Sequence, residues 1–322
     1  MTRGIGDYEA VIFSGRGNGQ LAELCVSTPK CLLQVGENPM VCYPLEWLIQ
    51  CGFSSVFIII NEETNLDCIF SKFNAKIEIK ILCLSEKHES LGTLETLVHF
   101  KDNFSRDLIL MTCDFRRDDI LLYKVVEHHR INPDCKMITV YAKKHKYCDP
   151  TPGSKKKCKF VFTPVGIDCS NSVVQIGAKW RYRPGGNVTI LTDVEDLHLY
   201  VLSLDVLNLQ IEGESVSDLI TQVQTRAFLQ MDESNKVNRV NNLDTFWDAS
   251  KPSNPYTNAL ASECAVSRGA KVKGSLLMQG SKVEAGADVI NCLIGEYATV
   301  QAGSVLKNCF VGPNQIIGDL NA

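Results

Sequence analysis

The sequence predicts an α/β domain built on a doubly wound, mostly parallel sheet, followed by a short three-sided β-solenoid. Two observations carry that expectation. Through the first two thirds of the chain, short apolar runs alternate with segments of helical period, and the first run empties into a glycine-rich turn. From residue 264 onward the sequence repeats itself every 17 residues.

The elements follow in order. Residues 10–14 form a short apolar run ending in glycines, the pattern of a buried first strand feeding a loop. Leu45, Leu48 and Ile49 fall at helical spacing within 43–51, and Gly52 stands where a helix ends in a left-handed residue. Residues 56–60 are a continuous β-branched run, typical of a strand buried on both faces. Residues 77–82, 108–112 and 137–142 read as further strands and 120–130 as a helix; 188–191 and 199–204 resume strand patterning. His198 and Tyr200 are candidates for a functional role, with packing in a strand as the expected explanation of both. The segment DPTPGSKKKCK at 149–159 is a solvated loop, and 232–263, polar and without a sustained period, is expected to be a linker. The domains are therefore 1–231, the linker 232–263, and the repeats 264–322.

Bulk composition excludes several classes. A chain of 322 residues with 45% apolar content is globular, and a formal charge of -4 with mixed signs gives no field for nucleic acid or anionic membrane. The fourteen cysteines are scattered, without a CxxC pair, and are read as reduced, mostly core residues of a cytosolic protein. The chain is expected to be neither secreted nor membrane-embedded.

In the repeats, Val266, Val283, Val300 and Ile317 correspond; so do Val272, Val289 and Leu306, and Leu277, Ile294 and Val311. Gly269, Gly286 and Gly303 mark one turn. Three aliphatics about six positions apart in each repeat suit a triangular coil whose columns stack inward. The pattern resembles the hexapeptide repeat of left-handed β-helices.

Residues 11–48, VIFSGRGNGQLAELCVSTPKCLLQVGENPMVCYPLEWL, resemble the N-terminal signature of the sugar-nucleotide pyrophosphorylase family. The resemblance implies a Rossmann-like nucleotidyltransferase domain with a doubly wound mixed sheet. It implies that Gly15 and Gly17 admit a triphosphate, that Lys30 contacts a phosphate, and that Gly92 and Thr93 lie beside the base and sugar. Asp114 matches the metal-binding aspartate, with strand-end capping as its alternative; Asp218 falls near a second metal carboxylate, with an exposed helix-start acid as its alternative. Two departures disarm the loop. Gln20 stands where the family has arginine and Gly19 where it has threonine; the Glu-Lys-Pro motif that holds the sugar phosphate is replaced by 160–164. Losing one positioned cation costs nucleotidyl transfer several kcal/mol. No catalytic residue, metal or cofactor is therefore expected, though the loop retains the means to bind a nucleotide or sugar nucleotide.

A transferase frame with a weakened site, joined to a short hexapeptide helix, is similar to the gamma-type subunits of eukaryotic translation initiation factor 2B. The segments that carry this are 29–53, 89–97, 108–115, the lysine loop, TDVEDLHLYVLSLDVL at 192–207 and 291–312. The resemblance implies a cytosolic, non-catalytic partner of the epsilon subunit. It also implies assembly with alpha, beta and delta subunits and a role in guanine-nucleotide exchange on initiation factor 2, without membrane or specific nucleic-acid binding. The alternative is an active sugar-phosphate nucleotidyltransferase of the mannose-1-phosphate guanylyltransferase type.

Overall fold

The computed structural model describes residues 5–15, 21–26, 28–61, 64–116, 119–143, 164–176, 187–210, 212–230, 239–251, 258–261 and 263–318. The chain divides into two compact units. One comprises 1–15, 42–145 and 158–239, the other 16–41, 146–157 and 240–322.

In chain order the elements are β1 (Tyr8–Phe13), β2 (Gln34–Val35), β3 (Asn38–Pro39), α1 (Cys42–Gln50), β4 (Ser55–Asn61), α2 (Asp67–Phe73), β5 (Glu78–Leu84), α3 (Thr93–His99) and β6 (Asp107–Thr112). There follow α4 (Leu122–Arg130), β7 (Met137–Lys143), β8 (Val165–Asp168), β9 (Val173–Ile176), β10 (Val188–Leu191), β11 (Val194–Leu202), β12 (Thr225–Gln230) and α5 (Leu243–Ser250). The first unit is built on a seven-stranded sheet of order β12-β7-β11-β6-β1-β4-β5. β4 and β7 are apolar along almost their whole length because both of their faces are covered. Edge strand β5 is more exposed and more polar. Its core joins Val11, Phe57, Leu97, Leu110, Leu202 and Leu219, and Phe57 meets Phe104 edge to face at 5.3 Å.

The sheet is mixed. β1, β4, β5 and β6 pair in parallel, as do β7 and β12, but β11 runs antiparallel to both β6 and β7. Six of the seven strands therefore share one direction, so the sheet is mostly parallel as expected, and only the reversal of β11, which alternation of apolar runs does not encode, makes it mixed. β8, β9 and β10 make a separate antiparallel sheet.

In the second unit, strands of successive coils pair in parallel on three faces, each in a 17-residue register: Leu276 on Leu293 on Phe310, Lys282 on Thr299 on Ile316, and Asp288 on Val305. Leu277, Val283, Val289, Ile294 and Val300 are buried in the middle of this stack. Val266 is the exception among the inward columns: it lies in the first coil and is 43% exposed. All three corners use left-handed backbone, at Gly269, Gly286 and Gly303, at Gly274, Asn291 and Asn308, and at Gly280, Tyr297 and Asn314. Glycine and asparagine tolerate that conformation best.

The 232–263 segment is more than a linker where it is described. Asn242 caps α5 by accepting the Thr245 amide at 2.8 Å, and Phe246 is fully buried. Its polar residues are cap residues, which disguise a helix whose apolar face is short. The cysteines also differ from a mostly core reading: five of the twelve described are buried, whereas Cys68, Cys83, Cys169 and Cys309 are exposed.

Candidate functional site

The neighbours of β1 diverge in sequence, β4 on one side and β6 on the other, so the ends of β1 and β6 flank a topological switch point where open α/β sheets receive ligands. Gly15 leaves β1 exposed, and a Cβ added there would meet nothing within 4 Å. Gly17, Gly19, Gln20, the 149–159 loop and 160–163 lie outside the described residues.

Gly92 and Thr93 start α3. The Gly92 amide donates to Glu95 Oε2 at 2.8 Å, the Leu94 amide to the Glu214 carbonyl at 2.9 Å, and the Val216 amide to Thr93 Oγ1 at 2.9 Å. A Cβ on Gly92 would fall 2.1 Å from the Glu214 oxygen. The glycine thus serves a close approach of two chain segments. Asp218 is exposed, and its Oδ2 accepts the Glu214 and Ser215 amides at 3.0 and 2.8 Å, capping the short 3-10 turn Val216–Thr221.

Asp114 follows β6 and is 1% exposed. Arg239 Nε donates to its Oδ1 and Nη2 to its Oδ2, each at 3.0 Å, and Thr112 Oγ1 donates to Oδ1 at 2.5 Å. Arg239 is also buried, and its backbone bridges antiparallel to Phe115, which aims the guanidinium back at the neighbouring carboxylate. Burial disfavours the Arg239 charge. The Asp114 carboxylate, with Asp196 and Glu195, outweighs it and raises the guanidinium's affinity for its proton.

Beside these groups is a cavity of about 140 Å3, lined in part by Phe13, Thr93, Thr112, His198, Tyr200 and Val216. Its β11 wall is irregular. The pairing with β7 shifts register between Asp196 and Tyr200, and His198 takes a left-handed backbone at φ 52°. Asp196 stabilises the irregularity, accepting the His198 amide and the Tyr200 hydroxyl, each at 2.8 Å. Burial and then the Asp196 charge push the Tyr200 hydroxyl well above its usual range, so it remains a donor. Both residues line the cavity, Tyr200 buried in its strand as expected and His198 half-buried at the bulge.

Lys30 opens a short 3-10 turn behind Pro29 and belongs to the second unit. There Thr28 Oγ1 donates to Glu296 Oε2 of the coil at 2.9 Å, and Glu296 is 6% exposed. Thr93 lines the cavity and Asp114 adjoins it through Thr112, while Lys30 groups with the repeats. Among the described residues no three His, Cys, Asp or Glu side chains converge as a metal-ligand set. Sequence reading missed Arg239, which stands in no motif and reaches Asp114 only through the fold; Asp196 lies inside the 192–207 segment, but nothing in that segment singles it out as the group that holds the bulge.

Comparison with known proteins matches residues 9–147 to the nucleotidyl transferase family model and 245–320 to the GlmU-like, C-terminal hexapeptide model. The chain joins a nucleotidyltransferase domain to a hexapeptide β-helix. This two-domain chain is similar to translation initiation factor eIF2B subunit gamma of Schizosaccharomyces pombe, at 27% identity over 66% of the chain and 49% of the relative. The subunit of the same name from Dictyostelium discoideum is 25% identical over 62% of the chain and 50% of its own length. A probable mannose-1-phosphate guanylyltransferase 1 of Oryza sativa subsp. japonica is 34% identical over 30% of the chain and 27% of the relative. The chain thus spans about half the length of the gamma-subunit relatives. Among the described residues no helix is long and apolar enough to cross a membrane.

Proposed function

We propose that this chain is a non-catalytic, gamma-type subunit of an initiation factor 2B complex. In this reading it pairs in the cytosol with an epsilon-type subunit, joins alpha, beta and delta subunits, and supports GDP/GTP exchange on initiation factor 2. The similarity to gamma subunits over some two thirds of the chain supports the assembly. The observation that carries the non-catalytic half is that both oxygens of Asp114, the carboxylate matched to the family's metal ligand, are taken by Arg239. Gly15, Gly17, Lys30, Gly92, Thr93 and Asp114 are then the remains of a nucleotide site, and Asp218 is a cap. Affinity purification of the tagged full chain from native cytosol is expected to bring down a larger transferase-like partner together with initiation factor 2. Recovery as a free monomer would overturn the assignment.

The matching transferase family model favours one second reading, an active guanylyltransferase. Magnesium-dependent release of pyrophosphate from GTP and mannose 1-phosphate would establish it. On the reading preferred here, that assay stays at background.

A further inference from the structure

We infer that Arg239 is a resident cation standing in for the divalent metal that a nucleotidyltransferase aspartate would hold. A magnesium-like ion demands carboxylate oxygens with open lone pairs in a near-octahedral shell and keeps several waters. The residues present do not fit it. Asp114 is 1% exposed, each of its oxygens receives a guanidinium N–H at 3.0 Å, and the Thr112 hydroxyl adds a further donor to Oδ1. Asp218 spends its Oδ2 on two backbone amides of its own turn.

What the site has instead is a planar, permanently charged fork matched to a carboxylate, with Asp196 and Glu195 adding negative potential around it. The fork is not a chance surface contact. Side-chain exposures are 9% for Arg239 and 0% for Asp114, and the bridge between Phe115 and Arg239 fixes the direction from which it arrives. The charge that a metal would bring from solution is therefore built into the chain, independent of metal concentration and of any ligand. Through Asp196, which also holds the His198 amide and the Tyr200 hydroxyl, the same cation reaches the wall of the cavity. Whatever small molecule enters that cavity meets a metal-free site.

This deepens the reading of the site as non-catalytic. Its failure is separable, since metal binding at Asp114 would leave the co-purification result untouched. The test is thermal unfolding of the full chain in EDTA and in millimolar MnCl2, with Mn2+ binding followed by calorimetry. Wild type is expected to show the same midpoint in both buffers. Arg239→Ala leaves the buried Asp114 carboxylate uncompensated and is expected to lose on the order of 10 °C. It should then gain a Mn2+-dependent rise that is absent from Asp114→Asn/Arg239→Ala. Asp114→Asn/Arg239→Gln, which removes both charges together, should recover more than half of the loss. If Arg239→Ala does not fold, the wild-type titration and the last double variant carry the test. The inference is overturned by an Asp114-dependent Mn2+ stabilisation of wild type, by a folded Arg239→Ala that ignores Mn2+, or by a neutral pair as unstable as that single variant.

Discussion

At Gly92 the chain has room for a hydrogen and no more. Since the Glu214 carbonyl would lie 2.1 Å from an added Cβ, Gly92→Ala must push α3 away from the 213–216 segment. Overpacking of this kind costs about 1–3 kcal/mol, and the urea midpoint should fall accordingly without change in slope. His129 carries a different vulnerability. It is 7% exposed, with Nδ1 against the Tyr8 hydroxyl at 3.2 Å and Nε2 against Ser203 Oγ at 3.1 Å. Burial lowers its pKa, Lys136 and Arg130 reinforcing the effect while Asp107 and Asp205 oppose it. The unfolded chain therefore takes up a proton near pH 6.5 while the folded one does not, so stability falls as pH drops below that value and levels off under the folded pKa. Unfolding midpoints measured from pH 7.5 to 5.5 should decline. His129→Gln should flatten part of that slope, the remainder including His128, whose pKa burial also lowers. At this scale the sequence made Thr93 and Asp114 legible as candidates, because a family motif surrounds each. Arg239 was not legible: its partner is 125 positions away, and a lone arginine in a polar stretch carries no local signature.

The coil is the element most nearly written in the sequence, since every turn repeats the same inward positions and small corner residues. Burial grades it. Ile294 is fully buried with coils on both sides, whereas Val266 in the first coil is 43% exposed. Ile294→Ala should cost about 2–5 kcal/mol, and Val266→Ala far less, in matched denaturation curves. Equal losses would mean that the column does not pack as described. Two corners escaped the sequence reading because asparagine and tyrosine, not only glycine, occupy them. The helix α5 escaped because its cap residues look like linker, and the antiparallel run of β11 escaped because a buried strand reads alike in either direction.

On the scale of the whole chain, contiguous sequence and compact unit do not coincide. The signature segment 16–41, including Lys30, groups with the repeats, while the unit that holds Thr93 and Asp114 runs to residue 239. A domain boundary drawn at 231 follows composition, whereas Arg239, beyond it, pairs with Asp114 at the end of β6. On the proposed non-catalytic reading, the loss of the metal site is therefore a property of the folded unit that pairs Asp114 with Arg239, and not of the glycine loop alone.

The 17-residue register has a consequence for how this chain can change in length. Each side of the triangle is read off the coil beneath it, so inserting or deleting 17 residues adds or removes one storey and leaves every inward column intact. Any other increment within a face would turn aliphatics out and corners in. Growth of the C-terminal region is therefore quantised, and departures from whole storeys are confined to loops that bulge from a corner.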